Sequence, residues 1–270
     1  MGQNIINMPS LGATKRSVKA VYVPTPHGYR LARIQKFSVP TFVPEGYELR
    51  NKKQRQLKVD SVTNEEENLE RSLRRAKINA FDLILCNYDL DCFVTLTYSP
   101  QSVEDKTDYA ECYDKLKSFL SNSVQRRGLK YVLVPERHKS GAIHFHAICN
   151  SSALDLVRAT SANTGKELSH NGRPIFNVIN WKYGFSTAEF IEAEEKDREA
   201  VSKYIFKYMG KQNGEKIGGR FFLHGGDLVK PFCLYGDSEQ EFMQDSRNRP
   251  TYQVEVTPID GITYWEWNYI

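Results

Sequence analysis

Apolar positions in the central part of the chain follow two spacings, one typical of helices and one typical of strands. The helical spacing predicts four helices, which lie at 64–80 with an extension into 81–87, at 109–125, at 154–161 and at 189–211. Asn64 is the predicted N-cap of the first helix, and Gly128 is expected to end the second.

Runs of β-branched and aromatic residues between turn residues predict the strands. They lie at 92–99, 131–135, 142–149 and 175–181, near 221–223, and at 252–256. The second and third of these flank the segment Arg137–Gly141, which predicts a β-hairpin. The order of elements favours an α+β fold in which a central antiparallel sheet packs with flanking helices against one face.

Charge divides the chain more sharply than hydropathy does. The 270 residues carry a formal net charge of +4, yet residues 1–80 hold 15 Lys and Arg against 7 Asp and Glu. We expect a basic N-terminal extension (1–63), with irregular or weakly structured chain over residues 1–60, followed by a folded domain (64–235) and a C-terminal extension (236–270). The basic extension suits an anionic partner, and it is equally typical of a solvated, flexible arm.

The five cysteines are scattered and form no Cys-x-x-Cys pair. This usage favours reduced thiols in a cytoplasmic protein over a disulfide framework or a zinc cluster. No stretch of about 18 apolar residues occurs, so we expect no membrane-spanning segment. The first residues do not form a secretory signal.

Two histidines on one strand are the first candidates for chemistry. His144 and His146 are separated by one residue, so in a strand they lie on the same face. Neutral imidazole rings are good ligands for a divalent metal. Taken alone, however, a His-x-His pair is more often part of an exposed sheet face than of a metal site.

The third metal ligand depends on the length of the hairpin loop. If the loop has three residues (139–141), with Gly141 in the left-handed conformation, Glu136 lies opposite His144 and on its face. A two-residue loop turns Glu136 away from that face. His138 shares the face of Glu136 and is the reserve ligand.

The helix predicted at 189–211 carries a second candidate group. Tyr204 and Tyr208 are four residues apart and therefore share one helical face, with Lys207 and Lys211 near the same stripe. A tyrosine hydroxyl that is helped by a lysine or a metal can attack a phosphodiester. For the helix alone, tyrosines packed at its edge beside extended lysine side chains are the simpler interpretation.

Three stretches follow one another along the chain in this order: Phe93–Tyr98 (FVTLTY), Gly141–Ala147 (GAIHFHA) and Tyr204–Lys211 (YIFKYMGK). Together they resemble the three motifs of the HUH endonucleases, specifically the rolling-circle replication initiators (Rep proteins) of single-stranded-DNA phages and plasmids. The resemblance implies a ferredoxin-like or RRM-like antiparallel sheet over the 64–235 domain. The histidines would lie on its central strands, with the tyrosine helix beside them.

The resemblance also implies a metal site. His144 and His146 match the metal-binding histidines of that family, and Glu136 matches the acidic residue of the adjacent strand. The ion would be Mg²⁺ or Mn²⁺.

Tyr204 matches the tyrosine nucleophile of the family, and Lys207 matches the lysine that follows it by three residues and positions the phosphate or the tyrosine. Tyr208 matches the second tyrosine, which alternates with the first in cleaving and rejoining strands. Binding of the DNA backbone is expected from basic side chains at Lys211, Arg50, Lys52, Lys53 and Arg55.

The implied activity is the nicking of single-stranded DNA at an origin through a 5′-phosphotyrosine intermediate, followed by rejoining, in the cytoplasm of the host cell. The chain has no GxxxxGK[ST] motif, so helicase and polymerase are expected from other proteins. A plasmid relaxase or a single-strand transposase of the same fold is the nearest alternative. A non-catalytic domain whose aromatic residues stack on single-stranded nucleic acid is the alternative from another class.

Overall fold

The computed structural model describes residues 15–25, 28–42, 65–191, 205, 207–209, 216–236, 252–255 and 262–266. Contacts divide the chain into one unit over Val62–Lys230 and a second made of Met1–Ser61 and Pro231–Ile270. The helices are α1 (Glu65–Cys86) and α2 (Tyr109–Arg127), and residues 205 and 207–209 are also helical. The strands are β1 (Lys15–Thr25), β2 (Gly28–Phe42), β3 (Cys92–Leu96), β4 (Tyr131–Arg137), β5 (Ile143–Cys149), β6 (Leu156–Arg158), β7 (Ser169–His170), β8 (Arg173–Pro174), β9 (Phe176–Val178), β10 (Ser186–Phe190), β11 (Leu223–Gly225), β12 (Phe232–Gly236), β13 (Tyr252–Glu255) and β14 (Ile262–Glu266).

The Val62–Lys230 unit is built on a seven-stranded sheet in the order β11-β4-β5-β3-β10-β9-β6. All of its neighbouring strands pair antiparallel. The α+β class with a central antiparallel sheet, expected from the sequence, is therefore confirmed. Strands β5 and β3, which carry two of the three sequence motifs, lie near the middle of this sheet.

Helix α2 has a side-chain cap at its start and ends at the glycine that the sequence predicts. The Asp108 side chain accepts a hydrogen bond from the backbone N–H of Ala110 and caps the first turn. Gly128 follows the last turn with φ 68°, and its N–H donates to the carbonyl of Val124. The left-handed conformation suits glycine, so the helix ends there. The predicted cap of α1, Asn64, lies outside the described residues.

Helices cover both faces of the sheet, so the expectation of helices on one face is wrong. Cys112, Leu116 and Phe119 of α2 pack with the inward side chains of β3 and β5 in one apolar cluster. Ala80 and Ile84 of α1 pack on the other face, together with the helical residues Ile205 and Met209. The second cover was missed because the alternating strand pattern marks one apolar face clearly. The other face is apolar only along part of each strand, at Val132, Val134 and Ile148.

The second unit contains a five-stranded antiparallel sheet in the order β12-β1-β2-β14-β13. The prediction of irregular chain over residues 1–60 is therefore wrong for β1 and β2. Register shifts in the β1–β2 pairing place both Ala20 and Val21 in the buried core. Such a shift breaks the two-residue alternation by which strands are recognised in a sequence.

Two further predictions fail in the central unit. The helix predicted at 154–161 is instead the short strand β6, which pairs with β9. The helix predicted from Glu189 cannot begin there, because Glu189 and Phe190 belong to β10 and pair with β3. In both places pairing with a distant strand overrides a local helical preference.

Other global expectations concern cysteine chemistry and membranes. All five cysteines are free thiols. Within the described ranges, neither α1 nor α2 nor any other helix combines the length and the apolar character that crossing a membrane requires.

Candidate active site

The β4–β5 hairpin has the register that the metal hypothesis requires. The N–H of His138 donates to the carbonyl of Ala142 at 2.8 Å, and Gly141 closes the loop with φ 86°. The loop is therefore the three residues 139–141, and Glu136 pairs directly with His144. Because side chains alternate along a strand, Glu136, His144 and His146 share one face of the sheet, here called the histidine face.

His146 is fixed by hydrogen bonds at both ring nitrogens. Its Nε2 lies 2.7 Å from Oε2 of Glu136, and both side chains are more than nine-tenths buried. Its Nδ1 lies 3.1 Å from the hydroxyl of Thr95, the residue that pairs with it on β3. A carboxylate oxygen accepts, so Nε2–H of His146 donates to Glu136. The hydroxyl of Thr95 can either donate to Nδ1 or accept from it, according to the protonation of the ring. This network holds the ring in one orientation.

Aromatic rings stack against His146. The ring of Tyr208 lies nearly parallel to the imidazole, with a centroid distance of 3.7 Å and an interplanar angle of 17°. Phe93 of β3 is also nearly parallel, with its centroid at 6.0 Å. The neighbouring Lys207 is exposed. Of the two tyrosines that the sequence singles out, Tyr208 is thus brought against the predicted metal histidine.

His144 has a more open setting than His146. Its ring is half-buried and stacks on His138, with centroids 5.2 Å apart and planes 7° from parallel. Burial lowers the pKa of His144, the rings of His138 and His146 lower it further, and Glu136 opposes them. The shift favours the neutral imidazole, which is the form that can donate a lone pair to a metal.

Several predicted site residues lie outside the described part of the chain. They are Tyr204, Lys211, Arg50, Lys52, Lys53 and Arg55. Sequence reasoning in turn missed Thr95 and Phe93 as neighbours of His146. The alternation of the FVTLTY stretch contained this signal, since it places Phe93 and Thr95 together on one face of β3.

The donor set suits a divalent ion in kind, because it combines two imidazole rings and one carboxylate. Within the described residues, however, no three His, Cys, Asp or Glu side chains are gathered as a ready metal cluster. Glu136 instead contacts His146 directly. The three side chains therefore share one face of the sheet. The carboxylate of Glu136 occupies the position beside Nε2 of His146 at which a metal ion would bind.

The matching family model is that of the replication-associated protein ORF2/G2P, over residues 91–213. Residues 91–213, here called the Rep domain, are therefore similar to this family of replication-associated proteins. All three sequence motifs lie within the matched segment of the Rep domain. The prediction of a Rep protein is confirmed at the level of this family, which supports a role in initiating replication. Searches among curated proteins and among solved structures give no match.

Proposed function

We propose that the Rep domain nicks single-stranded DNA at a replication origin by tyrosine attack and later rejoins the ends, in rolling-circle replication. The observation that supports this best is the stacking of Tyr208 on His146, on the face that also carries Glu136 and His144. A phenol, two imidazoles and a carboxylate then share one surface. That combination suits phosphoryl transfer better than simple DNA binding.

His144, His146 and Glu136 would hold Mg²⁺ or Mn²⁺. Bound there, the ion would act as a Lewis acid that favours attack on a phosphodiester and stabilises the charge that develops. To bind it, His146 and Glu136 must exchange their mutual hydrogen bond for the ion. Thr95 keeps its contact with Nδ1 and so holds the ring in orientation.

The tyrosine supplies the covalent step. Its hydroxyl oxygen forms a bond to phosphorus, and the bond between phosphorus and the 3′ oxygen breaks. The phenol proton ends on the 3′ oxygen, either directly or through solvent. The products are a 5′-phosphotyrosine and a free 3′-OH that primes synthesis, and the reverse attack rejoins the strand.

Both tyrosines have a place in the proposal. The motif assigns the first attack to Tyr204, with Tyr208 as the second tyrosine that exchanges strands. Lys207, which is exposed, would position the phosphate or the tyrosine. Lys211 and the basic residues Arg50, Lys52, Lys53 and Arg55 would add salt-dependent contacts to the DNA backbone. Helicase and polymerase would come from other proteins.

One observation favours a second candidate, a non-catalytic domain that binds single-stranded nucleic acid. Both ring nitrogens of His146 already have protein partners. In that state the ring offers no lone pair to a metal, and the histidine acts as a structural residue. This candidate predicts that substitution of either tyrosine by Phe leaves function intact.

A covalent-adduct assay separates the two candidates. The protein is incubated with a random-sequence pool of 3′-labelled single-stranded oligonucleotides and with Mg²⁺, Mn²⁺ or EDTA, and adducts are resolved on a denaturing gel. The nickase predicts a labelled adduct with metal and none with EDTA. Because the protein is linked to the 5′ phosphate, a 5′-labelled pool should instead release a shortened free strand.

Tyrosine variants assign the nucleophile in the same assay. Loss of the adduct in Tyr204→Phe supports the motif assignment, and persistence there with loss in Tyr208→Phe moves the nucleophile to Tyr208. Tyr88→Phe, an exposed tyrosine in the turn after α1, is the matched control. Absence of an adduct from wild-type protein under all metal conditions would favour the binding domain.

A further inference from the structure

The histidine face continues from β5 across β3 onto β10. Thr187 of β10 pairs with Thr95, and Glu189 pairs with Phe93. Residues at alternate positions of β10 therefore lie on the histidine face. Just before this strand, the carbonyl of Phe185 accepts hydrogen bonds from the backbone N–H of Thr97, at 2.9 Å, and from its hydroxyl, at 3.0 Å. These bonds extend the pairing of the two strands by one residue.

Phe185 lies at the exposed end of the series of alternate residues Phe185, Thr187 and Glu189. It has the same parity as Thr187 and Glu189, which places it on the histidine face. One step beyond the last recorded pairs of β3 with β5 and β10, Thr97 stands between Phe185 and His144. Phe185 is therefore two strands from His144, or about 10 Å at the usual spacing of strands.

The ring of Phe185 is accessible to a ligand. Its side chain is 78% exposed, more than any other large hydrophobic residue in the described ranges. An aromatic ring left open beside a site for nucleic acid is a typical platform for base stacking, because every base presents a flat face.

A groove lies at the other end of β10. It has a volume of about 460 Å³, and its lining includes Phe93, His170, Arg173 and Glu189. Nδ1 of His170 lies 3.0 Å from Oε2 of Glu189. A carboxylate repels phosphate but accepts hydrogen bonds from the amino group of a base. An aromatic wall with planar donors and an acceptor suits a nucleobase, and Phe93 joins this groove to His146.

The two ends are too far apart for one nucleotide. Phe185 and Glu189 are separated by four strand residues, or about 13 Å at about 3.3 Å per residue. Successive nucleotides of a stacked strand are about 3.4 Å apart. The platform and the groove therefore suit different bases of one strand.

We propose that Phe185 and the groove at Glu189 bind two separate bases of a single DNA strand whose backbone crosses the histidine face. Phe185 supplies stacking that does not depend on the base, and Glu189 with its neighbours supplies preference among bases. The inference rests on the proposed function for the identity of the ligand. It concerns binding alone and needs neither metal nor chemistry.

Binding without cleavage tests the platform. Fluorescence anisotropy is measured in EDTA with labelled single-stranded oligo-dT, oligo-dA and oligo-dC, and with a labelled duplex. Phe185→Ala should weaken single-strand binding roughly tenfold for all three sequences and leave duplex binding unchanged. Phe185→Trp should restore it. Tyr88→Ala, which removes an exposed aromatic ring at the opposite end of β3, should bind like wild type.

Glu189→Gln tests the groove in the same titrations. It should change the order of preference among the three oligonucleotides while Phe185→Ala keeps that order. Equal binding by wild type and Phe185→Ala would overturn the platform, as would altered self-association of Phe185→Ala in sedimentation with unchanged DNA binding. An unchanged order in Glu189→Gln would overturn the groove.

The outcome is independent of the nickase. Loss of binding in Phe185→Ala, with no covalent adduct from wild type, would retain this surface and remove the catalytic proposal. An adduct from wild type with normal binding by Phe185→Ala would do the reverse.

Discussion

The two faces of the central sheet are built by the same strands but differ in the polarity of their side chains. On β5, Phe145 and the residues two positions away from it, Ile143 and Ala147, point into the hydrophobic cluster under α2. His144 and His146 stand between them and point the other way, beside a buried carboxylate and a tyrosine ring. On that side, the described residues form an apolar cluster near α1, which includes Ile205 and Met209.

The comparison shows how strand alternation separates stability from chemistry. A buried polar group is costly unless it is hydrogen-bonded, and the histidine face meets that requirement through Thr95 and Glu136. On the α2 face the polar atoms are those of a few aromatic side chains, and they too are hydrogen-bonded: the Tyr98 hydroxyl donates to the carbonyl of Cys112, and Nε1 of Trp181 donates to that of Thr97. Substitutions on the two faces should therefore lower the free energy of unfolding by different amounts and for different reasons.

The largest expected effect is on the α2 face. Phe145 is fully buried, so Phe145→Ala should lower the free energy of unfolding by about 3–5 kcal/mol, measured by urea denaturation. Phe185→Ala, on the histidine face and exposed, is the control and should change it by less than about 0.5 kcal/mol. Equal losses in the two variants would contradict the division between the faces.

The next effect comes from the buried pair of Glu136 and His146. Glu136→Leu leaves Nε2–H of His146 without its acceptor, so the free energy of unfolding should fall by about 1–3 kcal/mol. Glu136→Gln retains a carbonyl acceptor and should lose less. If the two variants are equally stable in urea denaturation, the hydrogen bond is not what holds the ring.

A smaller effect is expected at Thr95. Thr95→Val keeps the shape of the side chain but removes its contact with Nδ1 of His146, which should cost about 1 kcal/mol. Thr187→Val, at the paired and exposed position on β10, is the matched control and should be nearly neutral. A loss as large in the control would assign the effect to the strands and not to the histidine.

The smallest effect is the pH dependence from His144, whose pKa is lowered in the folded state mainly by burial. Below about pH 6.5, the usual value, the unfolded chain takes up the proton first, so stability falls as the pH drops toward the lower folded pKa. Above about pH 6.5, His144 contributes nothing to the pH dependence of stability. His144→Asn should therefore lose less stability than wild type between neutral and mildly acidic pH.

Proton NMR checks the cause of this shift. The His144 ring should titrate below about pH 6.5. In His138→Ala its pKa should rise but stay below the usual value, because burial is the larger cause. A His144 that titrates at or above the usual value would contradict the assignment.

Local signals in the sequence predicted α2, the core of α1 and the β4–β5 hairpin. Gly128 and Gly141 act within a few residues of their own positions, so their effects can be predicted from the sequence. The same local rules gave the alternative registers for Glu136, and the loop length then selected one of them.

Long-range pairing could not be predicted in this way. Strand β10 has a sequence that also fits a helix, and only its pairing with β3 decides the matter. The register shifts between β1 and β2 hide their alternation. The contacts of His146 with Thr95 and Tyr208 join residues from three distant segments, so the motifs could indicate their importance but not their arrangement.

The most direct test of the central claim is mass spectrometry of the trypsin-digested DNA adduct. Cleavage after Lys203, Lys207 and Lys211 places the two tyrosines on separate peptides, 204–207 and 208–211. The proposed mechanism predicts a nucleotide linked through a 5′ phosphate to Tyr204, or to Tyr208 as the strands exchange, formed only with Mg²⁺ or Mn²⁺. A linkage to another residue, or no linkage with either metal, would contradict it.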